Sequence, residues 1–126
     1  MNDVTTTREV IRRAGQPDLK LLVDSWHAHH GPTSWDDLAS LAVDELAYLP
    51  FDDHPPLASP DLFTETIDRR ALPGDGEFDL PRFAKLFREK GYAAPVSVEI
   101  LNREMRAWPR DRFARCVYDA AIRYWT

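Results

Sequence analysis

Cysteine is almost absent from this sequence: Cys116 stands alone among 126 residues. A lone thiol forms no intramolecular disulfide, so a reducing cytoplasm is the expected compartment. Cys116 lies between Phe113 and Val117 in a helical pattern and reads as a small buried hydrophobe rather than a nucleophile. Long apolar runs are also missing. None approaches the roughly 20 residues that a membrane span needs. The stretch from Met1 to Arg13 lacks the apolar core of a signal peptide and reads as helix. Positive charge is in deficit, with 16 Lys and Arg against 21 Asp and Glu, for a net charge of -5. That balance carries no footprint for nucleic acid, and the interspersed signs exclude a polybasic membrane tether.

What is present is the composition of a soluble globular protein, 44% hydrophobic and 29% charged. The length suits one domain, residues 1–126, with a real core. Helix and strand signals alternate. Thr5 to Thr7 are placed to cap a first helix with Val10, Ile11 and Ala14 as its apolar positions and Gly15 as its stop. Leu19 to Val23 is a strand-length apolar run ending at Asp24. A polar, His-rich loop follows, then Ser34 and Asp37 spaced as a capping box ahead of Leu38, Leu41 and Ala42.

Leu46 to Phe51 is the second strand, ending at Asp52 and Asp53. Pro50 has no N–H for a central ladder, so it belongs at the strand's end or at a break. From His54 to Glu77 the chain is proline-rich and shows no periodicity, which suits a long functional or mobile connection. Asp79 caps a helix with Leu80, Phe83, Leu86 and Phe87 on one face, closed by Gly91. Val96 to Ile100 is the third strand and carries Glu99. The last helix starts near Arg110. This alternation predicts an α/β fold with a parallel sheet and outer helices. Each strand ends at an acid, where α/β barrels place their chemistry.

Asp24 and His27 sit three residues apart at a strand end, a pairing of oxygen and imidazole donors that suits a divalent cation or an ordinary polar loop. The neighbouring His29 and His30 read as solvent-facing. Asp52, Asp53 and His54 form a second acidic strand end, open to metal binding or to Asx-type capping of the loop. The stretch Arg69-Arg70-Ala71-Leu72-Pro73-Gly74-Asp75-Gly76 sets a guanidinium beside a glycine turn, suited to gripping a hydroxyl, carboxylate or phosphate. It is not a P-loop, because no Gly-Lys-Ser/Thr follows. Glu99 is a lone carboxylate that needs a partner or a cation if buried.

Taken in order, LLVDSWH, FDD, RRALPGDGEFDL and GYAAPVSVEI resemble the sugar phosphate isomerase/epimerase family with the xylose isomerase-like barrel. The match runs from about Val4 to Trp125. The resemblance implies a partial TIM barrel of about three parallel strands, the sixth to eighth of eight, with flanking helices. It also implies a divalent metal of the Mn²⁺, Mg²⁺, Co²⁺ or Zn²⁺ kind. Its ligands would be Asp24 on the sixth strand, Asp53 at the seventh, where many members place histidine, and Glu99 on the eighth; His54 is a possible substitute for Asp53. His27 and Arg70 are implied as substrate contacts, and Glu99 as the base that moves a proton beside a carbonyl.

The implied substrate is a sugar or sugar phosphate. The family's fifth strand, which brings a further ligand glutamate, lies outside this sequence. A half-barrel partner or self-association is therefore expected for activity, since three strands leave open edges and an uncovered inner face. Two other readings fit the same residues: a dehydratase of the 3-dehydroshikimate type, and a non-catalytic fragment pairing through its sheet edges.

Overall fold

The computed structural model describes residues 3–126. Three parallel strands, β1 (Leu21–Leu22), β2 (Leu46–Pro50) and β3 (Val96–Ser97), form a sheet in the order β1-β2-β3. Helices α1 (Val4–Ala14), α2 (Ser25–His30), α3 (Trp35–Ser40), α4 (Leu62–Asp68), α5 (Leu80–Glu89) and α6 (Arg110–Trp125) lie between and beside them. The expected α/β class with parallel strands and flanking helices is therefore present. None of the helices among the described residues is long and apolar enough to cross a membrane.

Local chemistry explains most boundaries. Asp3, not the threonines, caps α1 by accepting from the Thr6 amide at 2.6 Å, and Gly15 ends it in the left-handed conformation. Ser34 and Asp37 form the expected capping box of α3. Asp79 caps α5, and Gly91 at φ 80° follows its end. Pro50 is the last residue of β2, where its missing N–H costs no ladder bond.

Other segments differ from the sequence expectation: the first and third strands are shorter, Leu21–Leu22 and Val96–Ser97, so Glu99 lies just past the third rather than within it. The His-rich stretch is helical, because Asp24 accepts from the Trp26 amide and nucleates α2. The long connection from His54 to Glu77 contains α4, capped by Asp61 through the Phe63 amide. Cys116 is partly buried.

The sheet has a covered face and an open one. Leu21, Val23, Leu49 and Phe51 point toward the helices and are buried, with Leu49 and Phe51 at 0% exposure. On that side α5 contributes Phe83 and Phe87, while Tyr124 and Trp125 of α6 close edge-on against Phe51 at 5.4 and 5.2 Å between ring centroids. Leu22 and Tyr48 point the other way and remain 46% and 41% exposed. The inner face is thus uncovered, as the three-strand expectation requires. Phe87 is fully buried and in edge contact with Phe83 at 4.9 Å. Phe87→Ala is expected to lower unfolding free energy by about 3–5 kcal/mol in a denaturant titration.

Candidate functional site

Strand alternation sorts the acids. Successive side chains on a strand point to opposite faces, so Leu22 and Asp24 share a face, as do Tyr48, Pro50 and Asp52, and Ser97 and Glu99. That face is the open, inner one. Asp53 falls with Leu49 and Phe51 on the helix side. The period of two therefore sends Asp24, Asp52 and Glu99 toward one another at the strand ends and turns Asp53 away.

Arg70 joins the three inner acids. Its Nη1 donates to Asp24 Oδ2 at 3.0 Å, to Glu99 Oε2 at 3.0 Å, and to Asp52 Oδ2. The rest of the guanidinium is held from behind by α4. Nε donates to Thr66 Oγ1 at 3.1 Å and to its carbonyl at 3.2 Å, and Nη2 donates to Thr66 Oγ1 at 2.9 Å. The backbone is pinned as well: the Arg70 amide donates to Leu101 O at 3.0 Å and its carbonyl accepts from Asn102 Nδ2 at 2.9 Å. The guanidinium also lies over the Trp26 ring, 5.6 Å from its centroid.

Burial divides the cluster by role. Arg70, Asp24 and Asp52 are 3%, 4% and 0% exposed, whereas the Glu99 side chain is 48% exposed. Burial, with the neighbouring Asp24 charge, pushes the Asp52 carboxyl up to about 8, against the opposing pull of Arg70 and Ser25. Burial alone would lower the Arg70 pKa, but the Asp52 and Asp24 charges outweigh it and hold it above the usual arginine value. The Ser25 hydroxyl accepts from the Asp52 amide at 2.9 Å and lies 3.0 Å from Asp52 Oδ1, tying the start of α2 to the end of β2.

Asp53 has a different occupation. Its Oδ1 accepts from the His54 and Phe78 amides at 2.9 and 3.0 Å, and its Oδ2 from Gly74 at 3.0 Å. Its backbone pairs with Ala71 in both directions. It clamps the glycine turn, and a Cβ at Gly76 would collide with the Asp53 carboxylate and the His54 backbone. His27 lines a cavity with Leu22, Asp24 and Thr7 but makes no hydrogen bond to the Arg70 cluster, and its Nδ1 is buried without a partner.

His54 is fully buried, with Nε2 3.3 Å from Glu65 Oε2. His29 is partly exposed beside Glu77, while His30 is half-buried; burial first, then the neighbouring His29 and His54, lower its pKa to about 4. Of the residues singled out from sequence, Asp24, Arg70 and Glu99 come together, and Asp53 and His27 make no hydrogen bond to them. Ser25 and Thr66 were missed, and of the adjacent acids Asp53 was preferred to Asp52. The period-two pattern of Tyr48, Pro50 and Asp52 carries the signal for Asp52, but no local pattern announces Thr66.

The model of the family described as xylose isomerase-like TIM barrel matches residues 1–124. A 3-dehydroshikimate dehydratase from Pseudomonas aeruginosa is 33% identical over 101 residues, covering 80% of this chain and 16% of that protein. An inosose isomerase from Halalkalibacterium halodurans is 28% identical over 96 residues, covering 76% of this chain and 33% of that protein. The crystal structure of the IOLI protein with a bound zinc atom superposes with a TM-score of 0.85 at 20% identity, covering 98% of this chain and 44% of that one. A xylose isomerase domain protein from Alicyclobacillus acidocaldarius superposes at 0.75 with 27% identity, covering 97% and 42%. The chain thus spans 16% and 33% of the two curated relatives' lengths and less than half of these solved chains.

Whether these residues fit a resident divalent ion is decided by the geometry. Among the described residues, no group of three or more His, Cys, Asp or Glu side chains is arranged to hold a metal. The point on which the three inner carboxylates converge is filled by the Arg70 nitrogen. As arranged, the site does not fit the ion.

The raised Asp52 pKa makes a pH prediction. The folded state keeps this proton up to about pH 8, whereas an unfolded aspartate loses it near its ordinary value of 3.8. The folded state binds more protons between those values, so stability from this group is full below the lower pKa and is lost as pH rises toward 8. Asp52→Asn is expected to flatten that decline, read from urea midpoints across the window.

Proposed function

The chain belongs to the xylose isomerase-like TIM barrel family, and from that premise we propose that it supplies the proton-transferring part of a barrel mouth acting on a sugar-like polyhydroxy ketone. The observation that carries this reading is the exposure of Glu99. It is the single member of the carboxylate cluster that a ligand in the open face can touch, while its position is held by Arg70 at 3.0 Å. A general base needs that combination of access and fixed placement.

In this mechanism the Glu99 carboxylate takes the proton from the carbon beside the substrate carbonyl. The C–H electron pair moves into the C–C bond and the carbonyl oxygen gains negative charge. Arg70, itself buried, sets the cationic field at that end of the sheet and acts on the reaction through its contact with Glu99. Return of the proton to the former carbonyl carbon, with the hydroxyl proton passing from one enediolate oxygen to the other, completes an isomerisation; return to the same carbon from the opposite face completes an epimerisation. No step is assigned to a divalent ion.

A dehydratase outcome shares the first step. There the enolate electrons expel the β-hydroxyl, which leaves with a proton as water. The dehydratases of Pseudomonas aeruginosa and Pseudomonas putida, 33% and 30% identical over the matched segments, support this second reading. Either reaction belongs to a completed barrel. The exposed Leu22 and Tyr48 are assigned to the surface on which further strands pack, whether from the same polypeptide or a partner.

The test is deuterium exchange by NMR in heavy water, with an inosose and 3-dehydroshikimate offered separately to a completed barrel that carries this segment. Exchange beside the carbonyl is expected, and Glu99→Gln is expected to slow it by about 100-fold or more. Exchange that proceeds equally in the variant would remove Glu99 from the base role.

A further inference from the structure

Three oxygen atoms from three strand ends surround one point at the inner face: Asp24 Oδ2, Asp52 Oδ2 and Glu99 Oε2. The atom at that point is Arg70 Nη1. Oxygen donors of this kind are those a hard divalent ion takes. A metal of that size binds oxygen at about 2.0–2.2 Å, whereas Asp24 and Glu99 stand 3.0 Å from the nitrogen. The space among the oxygens therefore holds one cationic centre, and the nitrogen and a metal ion are mutually exclusive.

The placement of Arg70 is built rather than incidental. Thr66 engages Nε and Nη2 at 2.9–3.2 Å, Trp26 covers the guanidinium, and the backbone is fixed on both sides by Leu101 and Asn102. The side chain is 3% exposed. An arginine that merely drifted into an anionic pocket would not have its remaining donors matched to a threonine on another element.

We propose that Arg70 is the resident cation of this site, and that its guanidinium, held by Thr66, is what keeps a divalent metal from the carboxyl oxygens around it. Two consequences follow. The three acids require a cation at their centre to coexist, so removing the guanidinium leaves a vacancy that a metal fills. Loosening the Thr66 hold shifts the balance the same way without deleting any charge. This inference goes beyond the proposed proton transfer and does not depend on the substrate.

The experiment measures Mn²⁺ binding by the purified protein, through the EPR signal of the free ion and by calorimetry. The wild type and Arg70→Lys, which keeps a cation, are expected to take up no Mn²⁺ at this cluster. Arg70→Met is expected to bind one Mn²⁺ at least about tenfold more tightly than the wild type, since a buried like charge has gone. Adding Glu99→Gln to it should abolish that gain. Thr66→Val is expected to show a smaller gain in the same direction.

Should Arg70→Met be unfolded alone, Mn²⁺ is expected to restore its folded circular dichroism. Stoichiometric Mn²⁺ binding by the wild type that disappears in Glu99→Gln would overturn the proposal. So would Arg70→Met and Thr66→Val both failing to bind Mn²⁺ better than the wild type. An Arg70→Met chain that Mn²⁺ does not refold, together with an unchanged Thr66→Val, counts the same way.

Discussion

The contact of one guanidinium with Asp24, Asp52 and Glu99 is the constraint on which the mouth of this structure depends. Each acid comes from the end of a different strand, so Arg70 cross-links all three strands where their ladders have ended. Ionised carboxyl groups converging on one point repel strongly at low dielectric and two of these are buried, a cost met by the Arg70 cation and by the raised pKa of Asp52. The cluster exists because a cation sits at its centre with Nε and Nη2 held by Thr66. Breaking a buried pair by removing one partner typically costs about 3–5 kcal/mol, which places Arg70 among the residues least tolerant of change.

The same interaction organises the segment between β2 and α5. That stretch looks structureless along the sequence because its apolar residues follow no period. Its order comes from polar anchors of long reach. Asp53 collects three backbone amides of the turn, and α4 turns Thr66 toward Arg70. Glu65, on α4, meets buried His54 at 3.3 Å and also pairs with Arg69. The connection is a folded wall of the site, held by side-chain-to-backbone bonds rather than by an apolar stripe.

Much of this was legible from residues alone. Capping chemistry at Ser34 and Asp79, the stop at Gly15, and the three apolar runs marked the elements and their order. The acids at the strand ends marked the working end of the sheet. What escaped was the facing of adjacent acids at Asp52 and Asp53. Both look equivalent at a strand terminus, and the phase counted back through Pro50 and Tyr48 decides between them. The helical state of Ser25 to His30 also escaped, because a six-residue helix rests on one cap and on packing of Trp26 rather than on periodicity. The Thr66 cradle was invisible for a simpler reason: it is a tertiary contact.

Membership of a barrel family fits the open inner face on which Glu99 is exposed. The central claim is narrower and physical, that Arg70 is locked among the three carboxylates. Arginine side-chain NMR, reading the Nε and Nη resonances, tests it most directly. Arg70 is expected to show separate, slowly exchanging Nη protons with hindered rotation, unlike the exposed arginines of α6. A single averaged Nη signal for Arg70, exchanging as fast as those of the exposed arginines, would contradict it.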